Sequence, residues 1–268
     1  MKQAAPFSVI FEDEYIIAVN KAAGIAVSPD RWDDSKDRLD KLLAGFLARR
    51  EGADTRRLYT VHRIDRDTSG LVVFAKDPDT HRRLSAAFEE RRVQKRYVAI
   101  VHGRPAWKET ACDLPLVPNG NKRHLTIIDK YRGKKSLTGF HFLGSAGAYS
   151  VIEARPATGR THQIRVHLAS LGHPVVCDPL YGSPKPVLLS SFKRNWRGDP
   201  LDEKPLLARL GLHAAEIGIP DYRPGAPAVD PSAQGSGLSL TAPLPRDLAA
   251  LIKQMEKQAG ENFMPREV

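Results

Sequence analysis

Val61-His62-Arg63-Ile64-Asp65-Arg66-Asp67-Thr68-Ser69-Gly70 runs directly into Leu71-Val72-Val73-Phe74-Ala75, a polar decapeptide followed by an unbroken apolar run. A short apolar run behind a glycine suits a buried strand. The polar segment before it then reads as a loop that delivers side chains to the edge of a sheet, where function concentrates. Asp, Thr, Ser and Gly are also ordinary turn residues. Taken alone, this segment favours a turn or cap over a site.

Working outward, Val9-Ile10-Phe11 and Tyr15 to Val19 are β-prone runs around a polar turn, and Asn20-Lys21-Ala22-Ala23-Gly24 breaks the sheet after them. Leu39, Leu42, Leu43, Phe46 and Leu47 repeat at helical spacing, with Asp33, Asp34 and Ser35 as cap candidates. Asp77-Pro78-Asp79 starts a basic amphipathic helix through Leu84, Ala87 and Phe88. Tyr97 to Val101, Leu125 to Ile128 and Tyr149 to Ala154 read as strands. Thr161 is expected to cap a helix striped by Ile164, Leu168 and Leu171 and stopped at Gly172. The stretch from Asp221 to Gly237, dense in Pro, Gly, Ala and Ser, reads as a loop. Leu248, Leu251, Ile252 and Met255 predict a closing helix. Strict βαβ alternation is missing, so the expected class is α+β, a mixed, largely antiparallel sheet with flanking helices. The expected organisation is a catalytic domain over 1–248 and a C-terminal helical extension over 249–268.

At 268 residues the chain is long enough for a core without staples. Its 41 Lys and Arg against 31 Asp and Glu leave +10, which favours a polyanionic partner. Cys112 and Cys177 belong to no C-x-x-C pair, and no apolar run approaches a bilayer span. A cytoplasmic monomer without membrane contact is expected. Neither G-x-G-x-x-G after a strand nor G-x-x-x-x-G-K-S/T occurs, so no nucleotide cofactor is expected. His62, His162 and His167 match no zinc spacing, and no metal is expected.

The string around Asp65 resembles the H-R-L-D-x-x-T-S-G signature of RluA-type RNA pseudouridine synthases, with Ile64 in place of leucine. Gln94 to Ala99 is similar to that family's K-x-Y-x-A element, and Gly159-Arg160-Thr161-His162-Gln163-Ile164-Arg165-Val166-His167-Leu168 to its G-R-x-H-Q-I/L-R-V-H segment. Lesser echoes are Asn20 to Gly24, where Ala22 replaces a proline, Gly133 to Thr138, Asp178-Pro179-Leu180-Tyr181-Gly182 and Leu212-His213-Ala214. The resemblance implies the pseudouridine synthase fold, with Asp65, Tyr97 and Arg165 as catalytic residues. It also implies RNA contacts from Arg63, His62, Arg160, His162, Lys95 and Arg96, with Arg63 entering the gap left by a flipped base or holding its phosphate. No S4-like RNA-binding domain is expected ahead of the catalytic part. Compact members of the family act on ribosomal RNA, transfer RNA or both, so RNA is the expected partner.

The chemistry agrees with these residue types. Isomerising uridine breaks the bond from ribose to ring nitrogen, turns the base and rejoins it through a ring carbon, with no electron or group lost. It needs an ionised carboxylate acting at the sugar or base, for which Asp65 is the candidate. A neighbouring guanidinium, Arg165, would favour the charged form. An extruded base needs a stacking surface, and Tyr97 is suited to it; the resemblance equally implies a part for its phenol in the final proton removal from the ring carbon. Arg82, Arg83, Arg91, Arg92, Lys95, Arg96, Lys122, Arg123, Lys130, Arg132, Lys134 and Lys135 are candidate phosphate contacts or a merely solvated face. Two other readings compete: a metal-dependent phosphodiesterase built on Asp65 and Asp67, and an RNA-binding module without catalysis. The first has too few acidic ligands, and the second does not account for Asp65, Tyr97 and Arg165 together.

Overall fold

The structure, a computed structural model, describes residues 5–29, 38–52, 57–121, 125–193, 195–223, 225 and 237–264. In chain order the elements are β1 (Phe7–Glu12), β2 (Ile16–Lys21), α1 (Leu39–Glu51), β3 (Tyr59–Thr60), β4 (Ser69–Ala75), α2 (Pro78–Glu89), β5 (Gln94–His102) and β6 (Glu109–Cys112). There follow β7 (Leu116–Val117), β8 (Ile127–Ile128), β9 (Thr138–Ala146), β10 (Tyr149–Pro156), α3 (Gln163–Ser170), β11 (Leu212–Ile219), β12 (Leu238–Thr241) and α4 (Arg246–Ala259). The class is α+β, as the sequence predicts. Two compact units divide the chain, one of Met1–Lys95 with Ala214–Pro243, the other of Arg96–His213 with Leu244–Val268.

In the first unit the strands run in the order β1, β2, β4, β11, with β3 also on β4 and β12 on β11. The β1–β2, β2–β4, β3–β4 and β11–β12 pairs are antiparallel. Asp13 makes the first turn: its Oδ1 accepts from the N–H groups of Tyr15 and Ile16, both at 2.8 Å, and its Oδ2 from the Tyr222 hydroxyl at 2.6 Å. Ile16 and Ala18, then Leu71, Val73 and Ala75, point alternately to one core with Ile217 and Ile219, the period of two that a strand imposes. Leu84 and Ala87 of α2 close over it. Asp77 caps α2 by accepting from Asp79 N and Thr80 N at 2.9 Å, with Pro78 at the first helical position. The N-cap of α1 is Arg38, without a side-chain cap bond, and Asp33, Asp34 and Ser35 lie outside the described residues. Most of the predicted loop between Asp221 and Gly237 lies outside them as well.

The second unit has the order β5, β10, β9, β6, antiparallel throughout. Leu125 to Ile128 does not join this sheet; Ile127–Ile128 pairs only with β7, as a separate ribbon. Ala99 and Val101, Ile152 and Ala154, and Phe140 form its core with Ile164 and Leu168 of α3. Leu248, Leu251, Ile252 and Met255 are the buried stripe of α4, which packs on β9. The cap of α3 is His162 and not Thr161: His162 sits at φ 54°, in the left-handed region, and makes no side-chain cap bond. Its ring instead meets the Tyr181 hydroxyl, 2.8 Å from Nδ1. No helix among the described residues is long and apolar enough to cross a membrane.

Candidate active site

The first unit carries Asp65. It lies half-buried on the connection between β3 and β4, where its carbonyl accepts from Thr68 N at 3.1 Å and closes a turn. Arg63, Arg66 and Asp67 are exposed around it, whereas Ile64, Thr68 and Ser69 are buried. The loop is therefore anchored at Ile64 and again at Thr68 and Ser69, and shows Arg63, Arg66 and Asp67 to solvent.

Its backbone is tied from beneath by Lys21, which is 0% exposed. The ammonium donates at 2.8 Å to the carbonyls of Ala22, Ile25 and Arg66. Gly24 N adds a second donor to Arg66 O at 2.9 Å. A buried lysine is tolerated only when its charge is met by such acceptors, and here they belong to the two loops it joins. Lys21 pairs in register with Gly70 on β4. Gly70 has φ +118°, and a Cβ there would stand 2.2 Å from Ala214 O, so this end of β4 admits glycine alone.

His62 packs its ring on Phe88, centroids 4.9 Å apart and 21° from parallel, and its Nε2 accepts from Val73 N at 3.0 Å. Burial, reinforced by the charge of Lys95, pulls its pKa down to about 3. A neutral ring is what the Val73 bond requires. Burial also pulls Lys95 down, to about 8.

The second unit carries Tyr97 and Arg165. Tyr97 is half-buried on β5, opposite Ala154 of β10 and against the core of its unit. Arg96 beside it has Nη1 3.9 Å from Glu153 Oε2. Arg165 is not a side chain stretched along a helix surface: it is 3% exposed. Its Nε and Nη2 donate to Asp178 Oδ2 and Oδ1, both at 2.8 Å, and its guanidinium carbon lies 5.2 Å from the centre of the Tyr181 ring. Burial would raise the Asp178 carboxyl, but the Arg165 fork and the N–H groups of Leu180 and Tyr181 outweigh it and hold the pKa below the usual range. Burial raises the Tyr181 phenol. Its hydroxyl accepts from Thr126 N at 3.0 Å and lies 2.8 Å from His162 Nδ1.

Other residues of the same sequence block are structural ties. Gln163 Nε2 donates to Leu137 O and Thr138 Oγ1, and its Oε1 accepts from Thr158 Oγ1 and Arg160 N. His167 is fully buried, with Nε2 3.0 Å from Leu114 O and Nδ1 3.0 Å from Thr138 Oγ1. A carbonyl only accepts, so Nε2 carries the proton. Arg160 Nε reaches Lys135 O at 3.3 Å.

Of the residues singled out in the sequence, His62, Arg63, Asp65 and Lys95 belong to the first unit, and Arg96, Tyr97, Arg160, His162 and Arg165 to the second. His162 and Arg165 are brought together through Tyr181. Asp178, Tyr181 and Lys21 stood in the lesser echoes without an assigned role; the burial of Asp178 and Lys21 and the contacts of Tyr181 reveal one. Lys122 and Arg123 lie outside the described residues. Among those described, no group of three or more His, Cys, Asp or Glu side chains is placed to hold a metal ion.

Residues 15–170 match a family model described as RNA pseudouridylate synthase. A ribosomal large subunit pseudouridine synthase D of Zymomonas mobilis is 34% identical over 258 residues, 94% of this chain and 74% of that one. An uncharacterized RNA pseudouridine synthase of the same organism is 37% identical over 212 residues, 77% of this chain and 94% of that one. The solved structure of human RNA pseudouridylate synthase domain containing 4 superposes with a TM-score of 0.68 at 21% identity, over 92% of each chain, a likeness of fold.

Proposed function

The chain belongs to the RNA pseudouridylate synthase family and is an isomerase of uridine in RNA, and from that premise we propose that it modifies large-subunit ribosomal RNA with Asp65 as its essential carboxylate. The ribosomal substrate is carried over from the relative named for it, which matches nearly the whole chain. Transfer RNA is the other polyanion that fits the +10 charge. We further read 1–248 as the catalytic domain, 249–268 as its helical extension, and the protein as a cytoplasmic monomer.

In the reaction the bond from C1′ to N1 breaks with its electron pair leaving on the uracil. The base turns, C1′ bonds to C5, and the proton displaced from C5 is balanced by one gained at N1. Asp65 acts at the sugar or the base, as nucleophile or as base. The observation that carries its assignment is its setting: the residue matching the family's aspartate lies half-buried on a loop whose backbone is clamped by a buried ammonium. A carboxylate so held loses little entropy on reaching its target. Tyr97 offers a ring for the extruded base, and Arg165 supplies N–H donors to the reacting groups. Arg63, exposed two residues before Asp65, fills the gap left in the RNA. His62, Arg160, His162, Lys95 and Arg96 are read as RNA contacts, with His62 also seating the loop.

The test is Asp65→Asn with large-subunit ribosomal RNA labelled at C5 of uracil. Release of label should vanish while RNA affinity is kept. Normal turnover by this variant would refute the assignment. Mapping pseudouridine in total RNA from cells with and without the gene identifies the substrate, and a lost position in transfer RNA alone would refute the ribosomal reading.

A further inference from the structure

The basic stretches of the chain divide by how their charge is met. On α2, Arg82 Nη2 donates to Asp79 Oδ1 at 2.7 Å, and just beyond the helix Arg92 Nε donates to Glu90 Oε2 at 2.7 Å. The turn after β8, Asp129-Lys130-Tyr131-Arg132-Gly133-Lys134-Lys135, is different. Asp129 takes up Arg132 alone, whose Nε donates to its Oδ2 at 2.7 Å. Lys130, Lys134 and Lys135 are exposed, and among the described residues no ion pair meets them. Tyr131 stands between these lysines and is 99% exposed.

The backbone that carries the ring is fixed. Asp129 Oδ1 accepts from Tyr131 N and Arg132 N, both at 2.9 Å, and Asp129 O accepts from Gly133 N at 2.9 Å. Gly133 leaves no room for a side chain, since a Cβ there would lie 2.3 Å from Asp129 O. Lys134 and Leu116 then exchange N–H···O bonds of 2.9 and 3.1 Å. Both flanks are tied into the second unit: Thr126 N donates to the Tyr181 hydroxyl at 3.0 Å, and Ser136 Oγ to Leu114 O at 2.6 Å. Asn, Asp, Gly or Ser would serve such a turn at least as well as tyrosine, so the fold itself has no use for the ring.

We propose that Tyr131 is a stacking platform for an unpaired base of the substrate RNA, with Lys130, Lys134 and Lys135 holding the phosphates around it. The inference rests on the RNA-modifying reading of this chain and adds to it a site of substrate selection distinct from the chemistry. An aromatic ring among uncompensated ammonium groups is the pairing that single-stranded nucleic acid takes, because every base offers a π face and every nucleotide a charge. With the backbone already ordered, only the rotation of the ring is frozen on binding. A base inside an A-form stem is stacked on its neighbours and has no free face, so the occupant is a single-stranded or bulged nucleotide. An acidic protein surface would use the lysines and leave the ring idle.

The experiment measures the affinity of the full chain for a short single-stranded oligoribonucleotide and for the same strand annealed to its complement. Tyr131→Ala should weaken binding of the single strand about tenfold, and Tyr131→Phe, which keeps the ring, should stay within about twofold of wild type. The duplex should not distinguish the three proteins. Changing Lys130, Lys134 and Lys135 together to alanine should flatten the dependence of log affinity on log salt by about 2 on the single strand. On large-subunit ribosomal RNA the loss from Tyr131→Ala should fall on KM and spare kcat, the mark of binding that does not change in the transition state. A Tyr131→Ala protein that holds the single strand like wild type overturns the proposal, and so does an equal loss on the duplex or a loss confined to kcat. A salt dependence that flattens in the lysine variant while the tyrosine variants are indifferent marks a plain electrostatic surface and overturns the stacking site. If wild type isomerises nothing in ribosomal RNA, that reading of the substrate fails, and the oligoribonucleotide affinities still decide the platform.

Discussion

Lys21→Met removes the ammonium under the Asp65 loop and keeps most of the side-chain volume. Three carbonyls at 2.8 Å lose their charged donor, but that of Arg66 retains Gly24 N at 2.9 Å. The carbonyls of Ala22 and Ile25, on half-buried residues, lose a charge-assisted bond worth roughly 1.5–3 kcal/mol each. Removing a fully desolvated charge returns part of this. The net loss is about 3 kcal/mol, a fall in Tm of about 6–12 °C for a chain of this size. Because the broken ties join the loop of Asp65 to the loop after β2, turnover should fall more than RNA affinity. Thermal unfolding and single-turnover kinetics on the same preparation test both. A variant that melts within about 2 °C of wild type and reacts at the wild-type rate would show that the buried ammonium neither stabilises the unit nor holds the loop.

Gly70→Ala should be among the most damaging single-methyl additions: a Cβ 2.2 Å from Ala214 O at φ +118° forces β4 from β11, and soluble yield with circular dichroism will report it. For His62 the folded pKa near 3 lies below the ordinary 6.5, so the folded state holds the ring neutral. The stability it contributes is complete above pH 6.5 and drains away as pH falls toward 3, because the unfolded chain binds the proton first. Urea unfolding from pH 7 to 4 should therefore lose stability less steeply in His62→Gln than in wild type, and equal slopes would remove His62 from the account. Gly144→Leu should unseat Phe263, whose ring a Cβ would meet at 2.0 Å, and so lower Tm with the residual activity of the folded fraction retained. That fraction is read by active-site titration with RNA.

The strands of the first unit were legible because their apolar residues run unbroken or alternate: β2 and β4 could be read almost residue by residue. β9 and β11 were not. In β9 the alternation Phe140-His141-Phe142 is cut short by Leu143 and flanked by Gly139 and Gly144, and His213 and Glu216 sit within Leu212–Ile219, so neither stretch shows a sustained period of two. The start of α3 was misplaced because Thr161 is a good cap by type, while the chain uses a left-handed His162. No local rule predicts that choice. Its reason is tertiary: the turn carries the imidazole to the Tyr181 hydroxyl. Asp65, Tyr97 and Arg165 stood out by motif, and Asp178 was hidden for a physical reason. Its partner lies thirteen residues away on a helix, and an aspartate before a proline reads as a turn residue.

Burial sorts the matched motifs in a way that residue identity cannot. Within Gly159 to Leu168, Gln163 and His167 spend their polar atoms on backbone and hydroxyl partners of the same unit, and what they do is hold the segments around Leu137 and Leu114 to α3. Arg165 differs from them in one respect. Its partner is ionised, so the bond joins two charges withdrawn from water, and that is costly unless the geometry it enforces is used. The same distinction holds in the first unit, where Lys21 is met by neutral carbonyls and braces, while Asp65 remains half-buried at the surface of the braced loop. Extruding a uridine from folded RNA costs a few kcal/mol before any bond breaks. A flexible carboxylate and a freely rotating guanidinium would add their own ordering entropy to that sum. On the proposed roles of Asp65 and Arg165, the ties of the Asp65 loop to Lys21 and of Arg165 to Asp178 reduce that second cost in advance.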